Sequence, residues 1–375
     1  MGKTSKFILV VFLILACAGI GCAAHKYFNA PEKLTMKYVS KHMDASGKFE
    51  YRTNLNPEIK YDETGYNENA HAGLLYAMYQ YETKTNDKSL KNKRILASDY
   101  FVKRFIKPQG NKMFAVASIR QDDNGENIYS VGSTGLAITA LTNLYPEKQI
   151  DLRTLRGMGK YIVSMQNPDG SFRSFSPNAA PDMSNPDVNG EAAMGLLTLF
   201  ETDPEITWVN SAKKALIYTA TQRKGKKDLP FDQWTVIATQ KIFAMPNNGL
   251  SDSERDLLLN NAEVFADTAI KKQVTDKGEA YAGSFTDDRK LGSVASVMEG
   301  LAAAYDCTPN IKLKKEIKNS LDLGIAFLAK YQVKSGSLAG GIPQDADWKN
   351  STRKRHTEIK LDQVQHALSA FVQAK

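Results

Sequence analysis

The feature that most constrains this chain is an alternation. From residue 31 onward, apolar residues recur at helical spacing and no run of strand-like alternation stands out, so the chain reads as all-α. The helical segments are of two kinds. One kind carries Lys, Glu and long apolar side chains and covers residues 31–43, 90–106, 152–165, 207–222, 253–272 and 313–331. The other is rich in Ala, Gly, Ser and Thr and covers residues 67–82, 133–145, 189–201, 232–245, 291–305 and 360–374. The first kind has one wet face and reads as outer helices, whereas the small side chains of the second allow close packing from both sides and read as inner helices. Six of each in strict order, with about 45 to 70 residues between successive inner helices, predict one periodic architecture. No linker divides residues 25–375, which are expected to form a single domain.

A second periodic element follows the outer segments. Residues 166–172 (Gln-Asn-Pro-Asp-Gly-Ser-Phe), 332–338 (Gln-Val-Lys-Ser-Gly-Ser-Leu) and 43–49 (Met-Asp-Ala-Ser-Gly-Lys-Phe) share a spacing, and residues 273–281 are a looser copy. A glycine at the fifth position supplies the left-handed turn that stops a helix, and the aromatic two residues on can dock back onto the hairpin. Residues 166–172 resemble the glutamine-to-aromatic repeat of terpenoid cyclases, and the alternating hairpins resemble the six-hairpin glycosidase superfamily. Both groups share one fold, so the resemblance implies an α/α toroid of six helical hairpins around a central cleft. The Asp-x-Asp-Asp acid motif of squalene-type cyclases is absent. Its nearest approach is Asp122-Asp123 in a loop, which argues against prenyl cyclisation.

Hydrophobic residues make up 42% of the chain and charged residues 24%, the balance of a globular protein with ample core material. The net charge of +8 arises from 49 Lys and Arg against 41 Asp and Glu and is spread along the chain. It forms no basic stripe interleaved with aromatic residues, so nucleic acid is not an expected partner. Lys3 and Lys6 precede an uncharged, apolar stretch over residues 7–21, the pattern of an export signal. Cys17 and Cys22 each follow small and apolar residues in a manner similar to the bacterial lipobox, and either is a lipidation candidate. Cleavage after Ala24, or retention of the segment, would explain the same residues. In each case residues 1–24 are a signal or membrane anchor and the domain lies outside the cytoplasm. Only Cys307 remains in the body of the chain, so stability there must come from packing.

In a ring of parallel inner helices, the loops feeding their N-termini converge on one rim. Helix N-termini also favour anionic or hydroxyl-rich ligands. The polar residues gathered there are the site candidates. Asp187, Glu191, Asp232 and Asp362 are the carboxylates available for glycoside hydrolysis, which needs an acid and a base or nucleophile flanking the scissile bond. His71 with Tyr66 would serve a lyase or epimerase as a base near a sugar carbon. Asn67, Trp234 and Arg289 are candidate substrate contacts, Trp234 as a stacking platform and Arg289 as a partner for a carboxylate. His366 sits four residues after Asp362, so that carboxylate could orient its imidazole, and ring closure would bring His71 beside the pair. Asp, Asn and Ser before a helix are also preferred caps, and that reading applies to Asp187. No metal-ligand spacing is present, and no metal or cofactor is expected. The function expected is an exported, envelope-located carbohydrate-active protein acting on a polysaccharide or oligosaccharide as hydrolase, lyase or epimerase. The alternative is a non-catalytic envelope lipoprotein that binds glycan or a protein partner during surface-polymer assembly.

Overall fold

Twelve α-helices are present among the residues described by the computed structural model, which are 30–374 apart from 62–64, 182, 277 and 286–288. The export segment with Cys17 and Cys22 lies outside them. The outer helices are α1 (Pro31–Lys41), α3 (Lys91–Phe105), α5 (Leu152–Ser164), α7 (Ile206–Arg223), α9 (Asp252–Lys272) and α11 (Ile311–Tyr331). The inner helices are α2 (Glu68–Thr85), α4 (Val131–Leu141), α6 (Val188–Phe200), α8 (Gln233–Ala244), α10 (Leu291–Cys307) and α12 (Leu361–Gln373). Each inner helix packs on the next, and α12 returns to α2, so the six close into a ring. The fold is the α/α toroid expected from the alternation.

Composition explains the two layers. Every residue of α4 is buried, and α6 keeps most of its length out of water, as helices that are apolar all round must. Close approach between the two depends on missing side chains: a Cβ on Gly135 would overlap the Glu191 carbonyl, and one on Gly195 would overlap Gly135. Polar residues start the inner helices where the amides need acceptors. Asn67, Ser130 and Asp232 each accept a bond from the third backbone N–H beyond them.

The repeated motif ties neighbouring outer helices together. Gln166 Nε2 donates to the Ser211 carbonyl of α7 at 2.9 Å, Gln273 Nε2 to the Ser320 carbonyl of α11 at 2.9 Å, and Gln332 Nε2 to the Pro31 carbonyl of α1 at 3.0 Å. Beside each lies a glycine with positive φ, Gly170, Gly283 or Gly340, pressed so closely on the next outer helix that any Cβ would strike its backbone. In the 332–338 copy the contact falls to Gly340, because Gly336 has open space around it despite its left-handed backbone.

The strand-free expectation missed two small sheets. β1 (Arg52–Asn54) pairs antiparallel with β5 (Glu358–Lys360), Thr53 opposite Ile359, which adds a second seam where the ring closes. β2 (Ile106–Pro108), β3 (Phe114–Gln121) and β4 (Asn127–Ser130) form a three-stranded antiparallel sheet leading into α4. Along β3 the residues are buried consecutively from Ala115 to Ala117 and then exposed, so no period of two was there to be read.

Candidate active site

The N-terminal rim of the ring holds the ionisable groups. Asp187 occupies the cap position of α6 but, unlike Asp232, caps nothing. Its half-buried carboxylate makes no hydrogen bond among the described residues, and its pKa is pushed up to about 7. Burial is the main cause, followed by the charges of Asp232 and Glu191, with His366 and Arg223 opposing them. One turn further along, the buried Glu191 accepts a hydrogen bond from Asn69 Nδ2 of α2 at 3.0 Å and another from Asn185 Nδ2 at 2.6 Å. Burial raises its pKa despite those two amides. Gly132 of α4 makes the room, since a Cβ there would overlap the Glu191 carboxylate.

On the far side of the rim, His366 of α12 lies 2.6 Å through Nδ1 from Glu299 Oε2 of α10. A carboxylate accepts, so in this pairing Nδ1 carries the proton, and Nε2 makes no hydrogen bond among the described residues. The Gln365 amide, 3.2 Å from the same nitrogen, cannot also donate to it. Burial pulls the imidazole pKa down, but the Glu299 carboxylate, with Asp362 and Asp187 behind it, holds it above the ordinary value. Asp187 thus titrates near 7, His366 is held above its ordinary value, and each influences the other's charge.

Several expected site residues are occupied elsewhere. His71 is fully buried and turned away from the ring axis toward α3: Nε2 donates to the Ala97 carbonyl at 3.0 Å, and Nδ1 accepts from Tyr66 Oη at 2.7 Å. Phe49, Tyr100 and Phe101 surround it, and burial pushes its pKa down to about 3. It is a neutral core histidine, and Tyr66 is its orienting partner. Ring closure does bring α2 beside α12, and Gly73 is on the face of α2 that meets α12, where it lies against Gln365. Two residues along a helix turn the side chain by about 200°, so His71 cannot meet His366. Asn67 is spent on its cap. Asp232 accepts from Thr235 N and Thr235 Oγ1 and pairs with Arg223 at 2.6 Å, so it serves as cap and counter-charge. Trp234 has no free face for a sugar, being 3% exposed and packed on Tyr76. Arg289 pairs with Asp347 and covers Tyr281 at the surface. Asp362 shares the helix of His366 but does not bind its ring. One of its oxygens is buried without a partner, and the orienting carboxylate is Glu299.

Glu299, Arg223, Asn69 and Asn185 thus belong to the site although sequence reasoning did not select them. Glu299 carried a signal: within α10 the only other charged residue is Asp306, near the helix end. A carboxyl side chain midway along a buried helix needs a partner. Among the described residues, no group of three or more His, Cys, Asp and Glu side chains is arranged to hold a metal ion.

These helices and their closure define the class: the chain has the six-hairpin glycosidase-like α/α toroid fold. No protein-family model and no curated protein matches the sequence. Solved structures do match. The cellobiose 2-epimerase of Bacillus thermoamylovorans is similar with a TM-score of 0.65 and 14% identity, over 94% of this chain and 99% of that one. A D-mannose isomerase is similar with a TM-score of 0.64 and 12% identity, over 93% and 97%. The α-1,6-mannanase of a Salegentibacter species has a TM-score of 0.62 and 12% identity, over 93% and 98%. These neighbours are carbohydrate-processing enzymes, and at these identities the likeness is one of fold.

Proposed function

We propose that the chain is a carbohydrate-processing enzyme that moves a proton on a sugar at the N-terminal rim, as an epimerase or isomerase does. The observation that carries this is the His366–Glu299 pair, whose free Nε2 shares the rim with the unpartnered carboxylate of Asp187. Epimerisation or isomerisation beside a carbonyl needs one group to take a proton from carbon and another to protonate oxygen or carbon. A base held above its ordinary pKa and an acid titrating near 7 suit those two roles. The reacting form would be an open-chain sugar. Loss of its carbon-bound proton leaves the electron pair as an enediolate, and return of a proton to either face, or to the neighbouring carbon, gives the product. The epimerase and isomerase among the structural neighbours support this reading. Glycoside hydrolysis is the second reading, favoured by Asp187, whose raised pKa suits a general acid. A purely glycan-binding protein would have no use for the pair.

The test is to incubate the chain with mannose, glucose, cellobiose and α-1,6-mannobiose in deuterated water, following epimer, ketose and reducing-end formation together with deuterium uptake at carbon. Deuterium in product that is lost in His366→Ala supports proton transfer. New reducing ends without deuterium would move the assignment to a hydrolase. No turnover by a folded chain on any of them would overturn the reading.

Export and tethering by residues 1–24 belong to the same proposal, which puts the substrate in the cell envelope. The two lysines, the apolar stretch and the two cysteines support it. No helix among the described residues is long and apolar enough to cross a membrane, so tethering would rest on that segment. Membrane fractionation and labelled-palmitate incorporation, compared with Cys17→Ala and Cys22→Ala, test it. A chain that stays in the cytosolic fraction without label would refute it.

A further inference from the structure

The ring has a second mouth. At the C-terminal ends of the inner helices, a cavity of about 480 Å³ is lined by residues of α2, α4, α6, α8 and α12, and a neighbouring one of about 520 Å³ shares Tyr76, Met194, Glu201 and Lys241 with it. The Lys241–Glu201 ion pair, 2.8 Å long, is common to both. Each cavity falls in the ~300–1,000 Å³ range of small-molecule sites. Tyr76 belongs to both linings and also packs on Trp234, two residues after the Asp232 cap, so this pair stands between the cavities and the rim.

The lining has a consistent chemistry. Thr139, Thr142 and Thr198 each donate their hydroxyl proton to a carbonyl one turn back in their own helix, which leaves their oxygens as acceptors. Gln80 Oε1 is buried without a hydrogen-bond partner. The last carbonyls of five helices also end here, with the negative ends of their dipoles. A ligand must therefore bring donors. It need not bring charge, because Lys84 and Lys241 outnumber Glu201 and disfavour a cation, while the helix ends disfavour an anion. Tyr76 and Tyr79 add aromatic surface of the sort that covers the apolar face of a pyranose.

We propose that this mouth is a second, non-catalytic site for a neutral saccharide, separated from the reactive rim by the Tyr76–Trp234 contact. The test is calorimetric titration of the full chain with α-1,6-mannotriose and with cellotriose, for wild type, Thr83→Trp, Gln80→Leu and His366→Ala. Thr83 lines the cavity from an exposed position, so the tryptophan fills the mouth without disturbing the core. The expected result is binding that Thr83→Trp weakens at least ten-fold and Gln80→Leu at least three-fold, while His366→Ala leaves it within two-fold. Binding indifferent to both Thr83→Trp and Gln80→Leu, binding abolished by His366→Ala, or no binding of either sugar at millimolar concentration would overturn the proposal. Turnover is not read in this experiment, so the absence of a reaction at the rim would leave its outcome interpretable.

Discussion

Tyr76 on α2 and Trp234 on α8 pack with their ring centroids 6.4 Å apart, although their helices occupy opposite positions in the ring. Two aromatic side chains thus span the lumen that the six inner helices enclose. Truncating the buried one, Trp234→Ala, should cost about 3–5 kcal/mol, the usual range for removing a packed aromatic from a core. Trp234→Phe should cost markedly less. Urea unfolding of both variants checks this, and equal losses would show that the indole's extra reach is not used.

The second prediction concerns Glu299. Replacing it by Gln keeps the shape but removes the charge that holds the His366 pKa above its ordinary value. NMR titration of the His366 ring should show its pKa falling from the raised position that Glu299 maintains. If the proposed proton transfer operates, kcat should drop about 10²–10⁴-fold, with KM changed far less. An unmoved imidazole pKa would sever the link between the two residues.

A third follows from Asp187. Its pKa in the folded chain is raised to about 7, against an ordinary value of 3.8, so the folded state holds a proton that the unfolded state releases. The stability contributed by that proton is fully present below pH 4 and is lost as the pH rises through 7. Asp187→Asn should therefore be more stable than wild type at pH 8, by on the order of 1–3 kcal/mol after allowing for solvent screening, and should approach it near pH 4. Melting temperatures across that range check the sign. A variant destabilised equally at both ends would refute it.

His71 gives the opposite slope. Its pKa is about 3 in the fold against 6.5 ordinarily, so the stability tied to its neutral form is present above pH 6.5 and is lost as the pH falls toward 3. His71→Gln should lose about 1–3 kcal/mol at pH 7 through imperfect bonding to Tyr66 and Ala97. It should also show a shallower decline on acidification. Acid titration followed by circular dichroism tests both, and unchanged steepness would mean other groups set the acid limb.

The toroid was legible because its signal is periodic and long: a helix buried on all sides must be small and apolar throughout, and that composition recurs six times. The site was legible only as a rim. Residues near helix starts were identifiable, but whether one caps, pairs or stays free depends on neighbours from other helices. Asp232 and Asp187 occupy equivalent positions, yet Arg223 and Thr235 occupy one, while the other is left to the cleft. Spacing along α12 pointed to Asp362 as the partner of His366, whereas the partner came from α10, and contacts between helices leave no trace in spacing. His71 was misread for a related reason: its helix touches both the ring and α3, and the sequence does not say which way an imidazole turns.

The closure of the ring also governs the order in which the molecule can be completed. Gln332 reaches back to Pro31, and β5 pairs with β1, across some 300 residues of sequence. Such distant joins form late in folding, because the whole intervening chain must be gathered first. His366 lies on α12, the helix that shuts the ring against α2, whereas Glu299 and Asp187 lie on helices made earlier. A nascent chain emerging from the ribosome can therefore stack hairpin on hairpin before His366 has met Glu299. The His366–Glu299 pair comes into being in the same event that seals the band.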